Sequence, residues 1–197
     1  MITTIIFDLS EVLIAGLIGI ERELAPLVDL SEKKFLKSLW TDSFKELMKG
    51  NISEDEYLDD VFKINNWKVD KELFKTVIRK NFHKEVEGMI RLIEELSKKY
   101  KLILLSDHAR EWIEYIDKIH PFLNLFVRKY FSFQTGEIKR EKRAFELLLK
   151  KNNLLADECL FIDDSPTNIM IAKEIGLKSI HFENISQLNK ELKSFLF

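Results

Sequence analysis

Three short apolar runs along the chain predict buried β-strands. They cover residues 3–9, Lys101–Ser106 and Glu158–Asp163, and a weaker fourth run covers Lys178–Phe182. Runs of this length that are rich in branched and aromatic residues are typical of strands buried on both faces. Each of the first three ends on a polar or acidic cluster, so we expect polar groups to collect at the strand ends.

Helical periodicity fills the intervals between these strands. Met89–Tyr100 is amphipathic and leads into the second strand, Arg143–Lys151 leads towards the third, and Thr167–Ile175 follows the third and stops at Gly176. Alternation of strands and helices favours a parallel sheet with helices on both faces. The chain therefore predicts an α/β fold with a Rossmann-like parallel sheet at its core.

The segment from Gly16 to Glu85 breaks this alternation and predicts an inserted helical cap of the four-helix-bundle type. It contains Leu, Phe, Lys and Glu at helical spacing, and Ser53 with Glu56 has the form of a capping box. We expect residues 1–15 and 86–197 to form the core and residues 16–85 the cap. Its large aromatic residues fit the interior of a helical bundle: Trp40, Phe44, Phe62 and Trp67.

Composition restricts the classes of partner and the compartment. Of the 197 residues, 46% are hydrophobic and 32% charged, with a net charge of −2, so nothing favours binding to nucleic acid or to an anionic membrane. The single Cys159 fits a reducing compartment, and the apolar run Val12–Ile20 is too short to span a bilayer. We expect a cytoplasmic protein, monomeric or homodimeric.

Four polar clusters at or after the predicted strands together describe a site for phosphoryl transfer. They are Asp8 with Ser10, Ser106 with Asp107, Lys139, and the pair Asp163 and Asp164. A carboxylate can attack phosphorus and form an aspartyl-phosphate, while hydroxyl and N–H groups hold phosphate oxygens. A lysine can neutralise the negative charge of the phosphoryl group that is transferred. Paired carboxylates suit Mg²⁺, which prefers hard oxygen ligands.

In their order and text, these clusters resemble the haloacid dehalogenase superfamily of phosphohydrolases. The motifs read Ile-Ile-Phe-Asp8, Leu-Leu-Ser106-Asp107, Gly136-x-x-Lys139 and Phe-Ile-Asp163-Asp164, and the resemblance covers the whole chain. The segment from Gly50 to Tyr57 is similar to the cap of the branch that contains α-D-glucose-1-phosphate phosphatase and the phosphatase domain of soluble epoxide hydrolase.

The resemblance implies a role for each matched residue. Asp8 matches the nucleophile, whose other carboxylate oxygen would bind Mg²⁺. Ser106 and the N–H of Asp107 match the phosphate clamp, and Lys139 matches the lysine that ties nucleophile to phosphate. The resemblance also implies the metal ligands, which are Asp8, the carbonyl of Ser10, Asp164 directly, and Asp163 as its partner.

The chain differs from the sequence motifs of this family at three places. Ser10 stands where an aspartate usually acts as general acid and base, and Glu11 or His108 could substitute for it. Asp107 stands where Asn is usual, and a further carboxylate beside a phosphate should lower affinity unless it is paired. In the third motif, Lys142 is an alternative to Lys139 for the role of the motif lysine. The spacing to Phe145 favours Lys139.

We therefore expect a Mg²⁺-dependent phosphatase of a small phosphorylated metabolite, such as a sugar phosphate. The alternative is a protein of little catalytic power that binds a phosphometabolite in a regulatory role. A dehalogenase is disfavoured because its chemistry does not use Mg²⁺, so the acidic pair Asp163 and Asp164 argues against it. Candidate cap residues facing the site are Arg22, Trp40 and Phe44, each of which also fits a structural or surface position.

Overall fold

The computed structural model describes residues 1–196, and five parallel strands form the sheet at its centre. The strands are β1 (Thr4–Phe7), β2 (Lys101–Ser106), β3 (Arg128–Phe131), β4 (Cys159–Asp163) and β5 (Lys178–His181). Their spatial order is β3-β2-β1-β4-β5, and each neighbouring pair is parallel. The predicted Rossmann-like core is confirmed.

Helices surround this sheet, and a group of them is inserted after β1. The inserted helices are α1 (Glu21–Leu24), α2 (Glu32–Leu39), α3 (Asp42–Met48), α4 (Glu54–Asn65) and α5 (Lys71–Phe82). The remaining helices are α6 (Met89–Ser97), α7 (Arg110–Ile119), α8 (Ser132–Thr135), α9 (Lys142–Asn152), α10 (Pro166–Glu174) and α11 (Ile185–Leu196). None of the helices within residues 1–196 is long and apolar enough to cross a membrane.

Alternation along the central strand assigns its side chains to the two faces of the sheet. Ile5 and Phe7 of β1 join a large apolar cluster that also includes residues of α6, α7, α11 and the inserted helices. Ile6 joins a second cluster with residues of α9 and α10. Because successive side chains of a strand point to opposite faces, one run of four residues contributes to both cores.

The edge strand β3 is the element that the apolar pattern does not predict. Its sequence is Arg-Lys-Tyr-Phe, and it pairs only with β2. Charged residues are a common feature of edge strands, because they discourage pairing with another chain. Because these four residues show little hydrophobic pattern, β3 is recognised only by its pairing with β2.

Two antiparallel linkers join the inserted helices to the sheet. The N–H of Ala15 donates to the carbonyl of Lys84 at 2.8 Å, and the N–H of Val86 donates to that of Leu13 at 2.9 Å. An isolated bridge pairs Ile14 with Glu85 between them. The division into a core of residues 1–15 and 86–197 and a cap of residues 16–85 stays a prediction. The pairing of residues 13–15 with residues 84–86 supports these boundaries.

Within the inserted helices the capping box is present, and three of the four expected aromatic residues, Phe44, Phe62 and Trp67, pack against the apolar cluster. The Ser53 N–H donates to Glu56 Oε2 at 2.8 Å, and the Glu56 N–H donates to Ser53 Oγ at 3.3 Å, so α4 begins as predicted. Trp67 stacks on Phe35 with ring centroids 5.2 Å apart, and Phe62 packs nearby. The interior placement expected for Trp40 is wrong, since 55% of this residue is exposed.

A buried ion pair inside the cap also contacts the core. Glu54 of α4 accepts a bond of 2.8 Å from Arg79 Nη1 of α5 and pairs with Nη2 of the same guanidinium. The indole N–H of Trp112, on α7, donates to Glu54 Oε1 at 2.7 Å. Side-chain exposure is 4% for Glu54 and 17% for Arg79, so both charges depend on each other rather than on water.

We expect Glu54→Gln to destabilise the protein by about 3 kcal/mol, because it leaves the Arg79 guanidinium largely buried without a counter-charge. The matched control is Glu23→Gln, which removes an exposed pair with Lys80 (side chains 47% and 63% exposed) and should cost less than about 0.5 kcal/mol. Urea unfolding followed by circular dichroism measures both. Equal losses for the two variants would contradict the assignment.

Candidate active site

The carboxyl ends of three adjacent strands place the predicted site residues side by side. β1 lies between β2 and β4, with Phe7 level with Leu104 and with Ile162. Asp8 directly follows β1, Ser106 ends β2 and Asp163 ends β4. In open parallel sheets, ligands bind outside these ends where the strand order reverses. Asp8 and Asp163 lie on the two strands that flank this reversal.

Donors converge on one oxygen of the Asp8 carboxylate. Oδ1 accepts from the Leu9 N–H at 2.7 Å and from the Ser106 hydroxyl at 2.8 Å, and it lies 2.6 Å from Lys139 Nζ. Among residues 1–196, no hydrogen bond or ion pair reaches Oδ2. Since Asp8 is only 6% exposed, these contacts fix the orientation of a carboxylate that is nearly out of water.

Lys139 bridges the carboxylates of two strands. Its ammonium lies 2.6 Å from Asp8 Oδ1 and 2.7 Å from Asp163 Oδ2, and its side chain is 3% exposed. Burial opposes its charge, but Asp163, Asp8 and Asp107 outweigh that effect and raise the pKa of the ammonium. The alternative, Lys142, pairs with Glu174 at 2.9 Å and is half exposed, so it does not contact Asp8.

Groups of Lys139, Ser165 and Asn168 contact the Asp163 carboxylate. Its Oδ1 accepts from the Ser165 N–H at 2.8 Å and from Asn168 Nδ2 at 3.1 Å, while Oδ2 faces Lys139. The residue has no exposed surface. It therefore holds Lys139 in place, and Asn168, to which sequence reasoning gave no role, orients it in turn.

The residues present fit a divalent cation at this edge. Asp8, Asp163 and Asp164 each offer a carboxylate oxygen, and these atoms lie within 4.8 Å of one another. Burial and the charges of Asp8 and Asp163 raise the pKa of Asp164 to about 7. Three carboxylates face one ammonium, and this excess of negative charge with hard oxygen donors is what Mg²⁺ requires.

A chain of hydrogen bonds runs from Ser10 to the Asp8 carboxylate. Ser10 Oγ lies 2.9 Å from His108 Nε2, and His108 Nδ1 lies 2.9 Å from Ser106 Oγ. Because the Ser106 hydroxyl donates to Asp8, its oxygen must accept from His108 Nδ1, which leaves Nε2 to accept from Ser10. Burial and Lys139 lower the pKa of His108 to about 3, so the ring is neutral.

Neither predicted substitute for the missing acid faces the cavity above Asp8. His108 is 2% exposed and both of its nitrogens are bonded. Glu11 Oε1 accepts from the N–H groups of Gly16 at 2.8 Å and Ile18 at 3.3 Å, which ties it to its own loop. Burial raises the pKa of Glu11 despite these bonds, but the cavity lining does not include it.

Asp107 does line that cavity, and its carboxylate is attached to the backbone of Lys139. The Lys139 N–H lies 3.2 Å from Oδ1 and 3.1 Å from Oδ2. Burial raises the pKa of Asp107 to about 7, with Asp8 and Asp163 adding to the rise against the attraction of Lys139. The Asp107 carboxylate thus has the Lys139 N–H as its hydrogen-bond donor, and its pKa lies close to neutral pH.

The cavity measures about 360 Å³ and lies between the sheet edge and the cap. Its floor includes Asp8, Ser10, Asp107 and Lys139. The cap contributes residues of α3 and the turn before it: Trp40, Thr41, Phe44, Lys45 and Met48. Trp40 and Phe44 therefore face the site, whereas Arg22 is exposed and is not part of the lining.

Ion pairs at Glu141 join the helix that carries Lys45, which lines this cavity, to the core. Lys45 Nζ lies 3.1 Å from Glu141 Oε1, and Lys49 Nζ lies 3.0 Å from Oε2. Lys45 lies in α3 and Lys49 directly follows this helix, whereas Glu141 directly precedes α9 of the core. Lone charged residues at this sequence separation carry no signal of pairing, so these contacts could not be read from the chain.

The sequence is similar to those of known hydrolases. A family model described as haloacid dehalogenase-like hydrolase matches residues 5–182. The chain is 27% identical to D-ribitol-5-phosphate phosphatase of Bacteroides thetaiotaomicron over 209 residues, covering 100% of this chain and 99% of the relative. It is 28% identical to a flavin mononucleotide hydrolase of Arabidopsis thaliana over 75% of this chain and 59% of that protein.

A solved structure shares the fold. A haloacid dehalogenase family enzyme of Bacteroides thetaiotaomicron, in complex with magnesium and inorganic phosphate, superposes with a TM-score of 0.78. The sequences are 20% identical, and the match covers 95% of this chain and 99% of that one. With the family model spanning residues 5–182 and the strand-end carboxylates in place, this chain belongs to the haloacid dehalogenase-like hydrolases.

Proposed function

We propose that this protein is a Mg²⁺-dependent phosphatase that acts on a small phosphorylated metabolite through an aspartyl-phosphate at Asp8. The observation that carries the proposal is the contact of Lys139 with Asp8 and Asp163, beside a third carboxylate and below a cavity. This combination supplies a nucleophile, a fixed cation and a cluster suited to a metal ion, which are the parts that phosphoryl transfer needs.

Asp8 would act as the nucleophile. Its carboxylate attacks phosphorus, the bond from phosphorus to the alcohol oxygen breaks, and that oxygen leaves with the electron pair. Water then attacks the aspartyl-phosphate, which releases inorganic phosphate and regenerates Asp8. The donors on Oδ1 hold the carboxylate in one orientation through both steps, so little entropy remains to be lost when substrate binds.

Lys139 and Ser106 would support this chemistry from below. The ammonium balances the negative charge that the phosphate adds to a buried site, and Asp163 with Asn168 prevents it from moving away. The Ser106 hydroxyl, which donates to Asp8 Oδ1 in the free site, can turn its hydrogen to a phosphate oxygen, together with the N–H of Asp107, as the family resemblance implies.

Mg²⁺ would be held by Asp8, Asp164 and the Ser10 carbonyl, with Asp163 as a neighbour, and would supply charge stabilisation for the phosphoryl oxygens. The relative that acts on D-ribitol 5-phosphate supports a polyol or sugar phosphate as substrate. A cavity of about 360 Å³ also supports a small ester, since it is near the lower end of ligand pockets.

We expect Asp8→Asn to reduce Mg²⁺-dependent release of p-nitrophenolate from p-nitrophenyl phosphate by at least roughly 10³-fold, because an amide is a poor nucleophile. The matched control is Asp157→Asn, at an exposed position outside the site, which should retain the wild-type rate. Hydrolysis that survives in the Asp8 variant would refute the proposal. Tight phosphate binding without turnover would instead favour the regulatory alternative.

Mg²⁺ should raise the melting temperature of the wild-type protein at pH 7.5, because it relieves repulsion among three carboxylates that only the folded chain brings together. Asp164→Asn should remove most of this response, and Asp157→Asn should keep it. Differential scanning fluorimetry over a titration of MgCl₂ measures the effect without reference to activity. A response that is the same in both variants would place the metal elsewhere.

A further inference from the structure

Two residues that differ from the family motifs line the same cavity. Ser10 lacks the carboxylic acid that position usually provides, and Asp107 adds a carboxylic acid where an amide is usual. Both residues line the cavity together with Asp8 and Lys139. In the sequence alone the two departures appear as separate defects, whereas the fold brings them to one pocket beside the nucleophile.

Ser10 cannot supply the missing proton. Its hydroxyl hydrogen is directed to His108 Nε2, which has no hydrogen of its own in this network. The neutral His108 ring is buried behind it, and the carboxylate of Glu11 is held by its own loop. Among the residues that line the cavity, the remaining carboxyl groups are those of Asp8 and Asp107.

We propose that the Asp107 carboxyl group is the general acid and base of this site, taking over the role for which Ser10 is unsuited. The proposal rests on the proposed phosphatase function. The side chain is anchored by the Lys139 N–H at 3.1 and 3.2 Å, which orders it without neutralising it. Because the donor is an uncharged N–H group, both the protonated and the ionised forms of Asp107 can keep this contact.

The proton balance closes with Asp107 alone. In the first step the Asp107 carboxyl gives its proton to the leaving oxygen while that oxygen separates from phosphorus, so the product departs as a neutral alcohol. In the second step the resulting carboxylate takes a proton from the attacking water. Inorganic phosphate leaves, Asp8 is free again, and Asp107 has returned to its acid form.

The surroundings of Asp107 suit this cycle. Burial, then Asp8 and Asp163, raise its pKa to about 7 against the pull of Lys139, and a general acid works best when its pKa is close to the working pH. Two further cations line the same cavity, Lys45 from the cap and Arg140 beside Lys139. They would favour the ionised form once the proton has been given up.

Asp107→Asn tests the proposal, because asparagine has the same shape and keeps an acceptor for the Lys139 N–H. Two esters of similar size serve as probes, p-nitrophenyl phosphate and phenyl phosphate. Phenolate is a strong base, with a conjugate acid of pKa about 10, and needs a proton to leave, whereas p-nitrophenolate leaves readily without one. The ratio of kcat/KM for the two esters therefore reports proton donation and cancels general effects on folding or binding.

We expect the variant to lose about 10²–10³-fold in kcat/KM for phenyl phosphate and less than about tenfold for p-nitrophenyl phosphate. In the wild type, kcat/KM for phenyl phosphate should fall as the pH rises through about 7, where Asp107 loses its proton, and the variant should lack this fall. Asp157→Asn is the matched control and should keep the wild-type ratio of the two esters.

An equal loss for both esters, or an increase for both, would overturn the role of Asp107, the latter because it would show that the carboxylate only repels phosphate. Failure of the wild type to hydrolyse phenyl phosphate while it hydrolyses p-nitrophenyl phosphate would also overturn it. Failure on both esters, or hydrolysis that does not need Asp8, would instead refute the phosphatase function itself.

Discussion

The buried ammonium of Lys139 is the interaction on which this site depends. Three carboxylates at the ends of neighbouring strands would repel one another strongly in a nearly dry environment. Lys139 reaches two of them at 2.6 and 2.7 Å, and its own charge is tolerated only because they surround it. The remaining negative charge is what a divalent cation at this position would neutralise.

The sequence predicted the parts of the fold that are buried on both sides. β1, β2 and β4 lie in the middle of the sheet, so each is a continuous apolar run followed by a polar residue. β3 is an edge strand whose charged residues follow no apolar pattern, and it was missed. The other edge strand, β5, was predicted because two of its four residues are buried, whereas only one residue of β3 is. An apolar pattern detects a strand only as far as the strand is buried.

The site was predictable as a set of residues but not as a set of contacts. Spacing to Phe145 selected Lys139 over Lys142, and the geometry agrees, since only Lys139 reaches Asp8. The pairing of Glu54 with Arg79 and Trp112 joins residues 25 to 58 positions apart, and no local signal announces it. Trp40 was expected in the bundle interior because a large aromatic residue in a helical segment resembles core, but it is exposed and lines the cavity, as its alternative placement facing the site allowed.

Ser10 and Asp107 show why residues judged one at a time can mislead. Each lowers the expected activity when it is compared with the family motif alone. In the folded chain they belong to one cavity, and the acid missing from one strand end is matched by an acid at the next. A site should therefore be compared with its family as a set of functional groups in space.

The paired linkers between sheet and cap restrict how the cavity can open. Ala15 with Lys84 and Val86 with Leu13 form a short two-stranded ribbon held by main-chain hydrogen bonds. Because these bonds join the two linkers to each other, the linkers cannot separate without breaking main-chain hydrogen bonds. The inserted helices are thus attached to the core at two places, at this ribbon and at the ion pairs of Lys45 and Lys49 with Glu141.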